Sequence, residues 1–137
     1  MRLSDAIRLG AMMKPQHRGG ILSSDGTKTC ALGAALDALG KLDEWLTRRA
    51  SNAVDWAEWF GNALPPDSYR SVKWPPAAHK MIYGDTQYPL ATVVTVLNDV
   101  NGWTREQIAD WVEQVEKEYD KEKQHIETEE VVGAGSY

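Results

Sequence analysis

The chain has 137 residues, 42% of them apolar and 26% charged, which fits one globular domain able to bury its own core. One cysteine and three histidines exclude a disulfide framework, and also a zinc site built from four cysteines or from two cysteines and two histidines. Residues 1–30 hold five bases against two acids, residues 31–100 six against eight, and residues 101–137 four against ten, for a net charge of −5. A nucleic-acid binder gathers Lys and Arg on one face, and the small N-terminal excess disfavours that class. Apolar runs are too short to span a membrane, and Met1–Asp5 carries no secretory core, so a cytoplasmic location is expected.

In chain order, Ser4 is the expected N-cap of a first helix. Its apolar stripe is Leu3, Ile7, Ala11 and Met12, and Pro15 stops it. Residues 19–29 predict a β-hairpin turning at Ser24-Asp25-Gly26, because Asp-Gly favours positive φ. Residues 30–39, CALGAALDAL, are apolar almost all round and end at Gly40, a C′ glycine. Such a helix is buried, so it is taken as the central one. Residues 42–60 carry Trp45, Trp56, Trp59 and Phe60, with a helix capped at Ser51 or Asn52 and closed by Gly61.

Residues 62–88 are rich in proline and aromatics, including Tyr83, and predict an irregular stretch with at most a short helix near 77–81. Residues 90–100 are β-branched like a strand, yet Pro89 at N1 and the Asn98-Asp99 end favour a helix. Asn101-Gly102 then turns the chain. Thr104 caps the last helix in a capping box with Gln107. Ile108, Trp111, Val112, Val115 and Tyr119 share one face, and Glu113–Lys117 is a favourable i,i+4 pair. The periodicity dissolves from about His125. The expectation is a mainly α fold with a minor β-hairpin. Residues 1–124 form one compact domain around a buried central helix, and 125–137 form a flexible tail.

Two blocks look familiar together: Cys30-Ala31-Leu32-Gly33-Ala34-Ala35-Leu36-Asp37, and Leu97-Asn98-Asp99-Val100-Asn101-Gly102-Trp103-Thr104 followed by Ile108-Ala109-Asp110. They resemble a loosely defined group of small phage- and bacterium-encoded proteins with a C-x-L-G-x-x-x-D stretch and a later L-N-D-x-x-G-x-[ST]-x-x-x-I-A-D stretch. The resemblance covers about 25 residues. It implies an accessory protein of phage or mobile-element type and transfers no catalytic residue.

For chemistry, Cys30 is the sharpest candidate. It falls at the first turn of a helix, where free N–H groups can lower a thiol pKa. A cysteine-dependent hydrolase or transferase would pair it with His79 or His17, oriented by Asn98 or Asp99. The apolar flanks favour instead a buried, inert thiol. Asp37 lies either on an exposed edge or against a partner. Asn98-Asp99 is expected to bond local backbone and stabilise the turn. The run Thr104–Trp111 resembles the first helix of a helix-turn-helix, but no basic recognition helix follows. There is no phosphate loop and no metal-ligand spacing, so no cofactor and no metal are expected. These absences favour a small binding or inhibitory protein over an enzyme, with a host or phage protein, or a small ligand, as partner. Tyr69, Arg70, Lys73 and Trp74, flanked by Pro65-Pro66 and Pro75-Pro76, are the expected contact surface, because Trp and Arg anchor interfaces and the prolines restrict the loop.

Overall fold

A computed structural model of the protein describes residues 1–50, 62–78 and 87–135. Its helices are α1 (Leu3–Ala11), α2 (Ala31–Ala38), α3 (Leu42–Ala50), α4 (Leu90–Asp99) and α5 (Arg105–Gly135). A 3-10 turn at Pro66–Tyr69 leads into β1 (Ser71–Val72), which pairs antiparallel with β2 (Tyr88–Pro89) in the register Ser71–Pro89 and Val72–Tyr88. The fold is mainly α with a minor β element, as expected. The cap at Ser51 or Asn52, Gly61, Trp56, Trp59 and Phe60 lie outside the described residues, as do His79 and Tyr83.

Every residue of α2 from Ala31 to Leu36 is buried. No polar side chain occupies those positions, so each face can be covered without stranding a polar group. Small residues also set the spacing. A Cβ on Gly10 of α1 would stand 1.8 Å from the Ala34 carbonyl oxygen, so the two helices touch backbone to backbone there. On another face of α2, a Cβ on Gly33 would stand 2.1 Å from the Ile21 carbonyl oxygen. Among the described residues the α1–α2 pair is the most extensive, and α4 also packs on α2, with Leu90, Val93, Val94 and Leu97 in the shared core. Trp45 of α3 is also buried in the core. Helix α5 packs chiefly on α1.

Several local expectations need correction. Arg2, not Ser4, precedes α1, and it caps with no side-chain bond. Ser4 is buried instead. Its N–H and its hydroxyl donate to the two Glu116 oxygens of α5, at 3.0 and 3.1 Å. A carboxylate from the far end of the sequence thus satisfies the first turn of α1. Met12 is 84% exposed, since α1 ends at Ala11; Ala6 and Gly10 complete the buried stripe. The region 19–29 makes the tight turn but not a ladder. Gly26 N–H donates to Ser23 O at 2.9 Å, and the strand-like contacts reduce to single bridges, Leu22–Thr29 and Gln16–Thr29. The chain enters α2 immediately after Thr29, with Cys30 N–H donating to Ile21 O, which leaves no length for a strand.

The ambiguous stretch 90–100 is helical, with Leu90, Ala91, Val93, Val94 and Leu97 buried at helical spacing. The capping box is reciprocal. Gln107 N–H donates to Thr104 Oγ1 at 3.1 Å, and Thr104 N–H donates to Gln107 Oε1 at 2.9 Å. Lys117 donates to Glu113 at 3.3 Å. Helix α5 does not dissolve near His125 but continues to Gly135. Its later residues are rich in Glu, Lys and Gln, whose helix propensity needs no apolar stripe. That continuity also removes the helix-turn-helix pattern, because no turn breaks α5. Among the described residues no helix is long and apolar enough to cross a membrane.

Candidate functional site

The two sequence blocks that carry the resemblance meet in space and form one joint. Asn98, fully buried at the end of α4, is its hub. Its Oδ1 accepts from Ala31 N–H at 3.2 Å and from Gln16 Nε2 at 2.9 Å. Its amide nitrogen donates to His17 O at 2.9 Å and to Asp99 Oδ1 at 2.8 Å. Asp99 in turn accepts from Gly19 N–H at 3.0 Å. Asn98 therefore caps α2 and ties down the 16–19 loop, which corrects the expectation of a purely local turn. The reason is its burial: an amide out of water must fill its hydrogen bonds, and the nearest partners belong to other elements.

Cys30 is the N-cap residue of α2, and its Sγ accepts from Gly33 N–H at 3.4 Å. It is 2% exposed, and burial pushes its thiol up to about 11. Thiolate chemistry needs the opposite: an exposed thiol with a lowered pKa. Of its proposed helpers, Asn98 has both ends of its amide bonded elsewhere, and His79 lies outside the described residues. His17 enters the joint through its backbone. Asp37 is neither exposed nor orphaned; it accepts from Lys14 Nζ.

Arg105 completes the joint. It is buried, and its guanidinium donates to Thr29 Oγ1 at 3.1 Å, to Lys14 O at 2.7 Å and to Ala11 O at 3.3 Å. Burial lowers its pKa from the usual arginine value, and no carboxylate pairs with it among the described residues. Its counter-charge is the carbonyl-rich C-terminus of α1, the negative end of the helix dipole. Gly33, Asn98, Asp99, Thr104 and Asp110 thus each have a packing, capping or bridging task in this joint and its surroundings. The two blocks therefore meet as structural parts of one joint.

An open surface groove lies elsewhere. Residues 70–77 face the outward stripe of α5 across an open groove. Its wider part, about 690 Å³, has Arg70, Lys73 and Trp74 on the strand wall and Trp111, Glu118, Tyr119 and Glu122 on the helix wall. A second part of about 520 Å³ shares Pro75, Pro76, Trp111 and Gln114 with the first and runs on to Trp103 and Gln107. The Arg70 guanidinium lies 3.9 Å from the centre of the Tyr119 ring and fixes the two walls together at one end. Trp74 packs edge-on to Tyr88, with ring centres 5.7 Å apart, and its indole N–H is buried without a hydrogen-bond partner.

Of the four residues expected to form a contact surface, Arg70, Lys73 and Trp74 line this groove. Tyr69 does not. It packs half-buried on the core, and burial pushes its phenol up to about 12. The helix wall is hard to read from sequence because Trp111, Val115 and Tyr119 fall at core spacing. In the fold they are only half-buried, and the buried stripe of α5 runs through Arg105, Ile108, Ala109, Val112 and Glu116. Arg105 and Glu116 hide this shift of the stripe, being charged residues that sequence patterning places outside a core. Among the described residues no three His, Cys, Asp or Glu side chains gather as a metal set would require. No family model, curated protein or solved structure matches the chain.

Proposed function

We propose that this protein is a small non-enzymatic binding protein that holds a partner protein in the groove between residues 70–77 and α5. One observation carries the reading: half-buried Trp74, Trp103, Trp111 and Tyr119 converge on one open groove, walled by Pro75-Pro76. Aromatic side chains supply much contact area at little rotamer cost, and they dominate binding hot spots. The prolines hold one wall in place before binding, so little order remains to be imposed. The resemblance of the two blocks adds that the protein is an accessory factor of phage or mobile-element type, acting on a host or phage protein in the cytoplasm.

The competing reading, a hydrolase or transferase built on Cys30, is opposed by a sealed thiol raised to about 11. Both are tested together. Tagged protein, a Trp111→Ala variant and a Met12→Ala control are each used to capture partners from host lysate, with circular dichroism confirming the fold. Loss of the same captured protein with Trp111→Ala, but not with Met12→Ala, is the expected result. Capture unaffected by Trp111→Ala, or rapid iodoacetamide labelling of native Cys30 near neutral pH, would overturn it.

A further inference from the structure

The groove carries more than aromatic surface, and its charges specify what fits. At its wider end the strand wall bears Arg70 and exposed Lys73, and the helix wall bears Glu118 and Glu122, both exposed. None of these four enters an ion pair among the described residues, although the cations and anions line opposite sides of one groove. Other exposed charges nearby do pair: Arg8 reaches Asp110 and Glu113, and Lys117 reaches Glu113. Glu118 and Glu122 are also an i,i+4 like-charge pair, which costs helix stability unless a cation lies against it.

Resting on the groove reading above, we propose that this end of the groove takes an extended segment of a partner protein in which a basic, an acidic and a basic residue follow one another. In an extended chain, successive side chains point to opposite sides, and alternate ones stand roughly 6.8 Å apart. Glu118 and Glu122, one helical turn apart, are separated by roughly 6 Å along the α5 axis. Two bases at alternate positions of the guest therefore meet the two glutamates in register. The acidic residue between them turns to the strand wall, where Lys73 stands free. Arg70 is already committed to the Tyr119 ring, so Lys73 is the cation that receives it. Beyond the charged run the guest continues toward Trp111 and Trp103, where apolar side chains are required.

A helical guest fails this test, since its neighbouring side chains do not alternate between walls. A purely basic guest would pair with the helix wall but set a cation against Lys73. Charge pairs at such a rim act mostly on specificity and association rate, so the signature is a ranking among peptides that falls with salt.

The experiment uses the full chain and short synthetic peptides, followed through the indole N–H signals of Trp74 and Trp111 in an NMR titration. One peptide alternates Lys and Glu ahead of a Leu-Pro tail; a second has the same composition with its Lys and Glu in separate blocks. The alternating peptide is expected to bind about tenfold more tightly than the block peptide. Lys73→Glu is expected to remove about that factor, and a peptide with the central Glu changed to Lys should recover it. Equal binding of the two peptides with the indole signals still moving, or a failed charge-swap recovery, overturns the alternation while leaving the groove as the docking surface. If no peptide moves the indole signals and partner capture is indifferent to Trp111→Ala, the groove reading itself falls. A dimer that forms with concentration and is lost in Lys73→Glu assigns the groove to a second copy of the chain and also overturns the proposal.

Discussion

Asn98 shows how much one amide can hold. It joins Ala31, Gln16 and His17, all far from it in sequence, through one buried and two partly buried contacts. Removing a buried partner strands the groups it served, at about 1–3 kcal/mol for each group left unsatisfied. Asn98→Ala is expected to lower the denaturant midpoint by an amount matching at least one such loss. Asn98→Asp should do no better, because a carboxylate cannot donate to His17 O and would face Asp99. Urea unfolding of the two variants checks both. At Cys30 the folded thiol, pushed up to about 11, holds its proton more tightly than the unfolded thiol, whose pKa is about 8.5. The associated stability is therefore complete below about pH 8.5 and is lost as pH rises towards 11, to a total of about 3 kcal/mol. Tyr69, raised to about 12, adds a second loss that begins higher, above about pH 10. Unfolding measured between pH 8.5 and 10 should show a downward slope that Cys30→Ala flattens; an unchanged slope in that variant would refute the assignment.

Among the elements, those whose signals are local are legible in the sequence. The capping box at Thr104–Gln107, the Gly40 stop and the all-round apolar pattern of α2 each depend on neighbours a few residues away, and all stand in the fold. What failed depends on distant partners. Ser4 looks like a cap because Ser usually is one, but Glu116 makes it a bridge. The face of α5 is misplaced by its sequence pattern because Arg105 and Glu116 find their partners on α1 and its flanking loop. The proposed docking groove is half legible for the same reason: its strand wall is one proline-framed segment, while its helix wall requires knowing which side of α5 faces α1. Glycine positions test these crossings. Gly10→Ala puts a methyl group into the Ala34 carbonyl, and α1 must move off α2. Overpacking of this kind typically costs about 1–3 kcal/mol or more, against a slight gain from helix propensity. A fall in melting temperature is expected, whereas Gly20→Ala, whose nearest neighbour would be 3.9 Å away, should leave it nearly unchanged. Thr104→Ala is expected to cost about 1 kcal/mol by removing the cap of α5.

At the scale of the whole molecule, α1 is held by α2 along one side and by α5 along another. Charge reinforces the second contact, since Arg8 bonds Glu113 at 2.9 Å and Asp110 at 2.7 Å. These pairs are partly exposed, so they contribute modestly and weaken with salt. The uncharged α1–α2 crossing carries the greater share. Native-state hydrogen exchange should therefore find the slowest amides in α2, around Ala34, Ala35 and Leu36, opening only with global unfolding. Slower exchange in α5 than in α2 would contradict this hierarchy.

The bridge from Ser4 to Glu116 spans 112 positions of sequence. A ribosome delivers the chain from the N-terminus, so α1 emerges long before the carboxylate that completes its first turn. During that interval α1 and α2 can pair, being close in sequence, while the opposite side of α1 stays uncovered and its buried serine wet. Final closure must await the first half of α5, a late step of the kind that leaves nascent chains dependent on holding factors. A fragment of residues 1–100 is thus expected to collapse with partial helicity yet melt without a cooperative transition, and addition of a peptide spanning residues 104–124 should restore one.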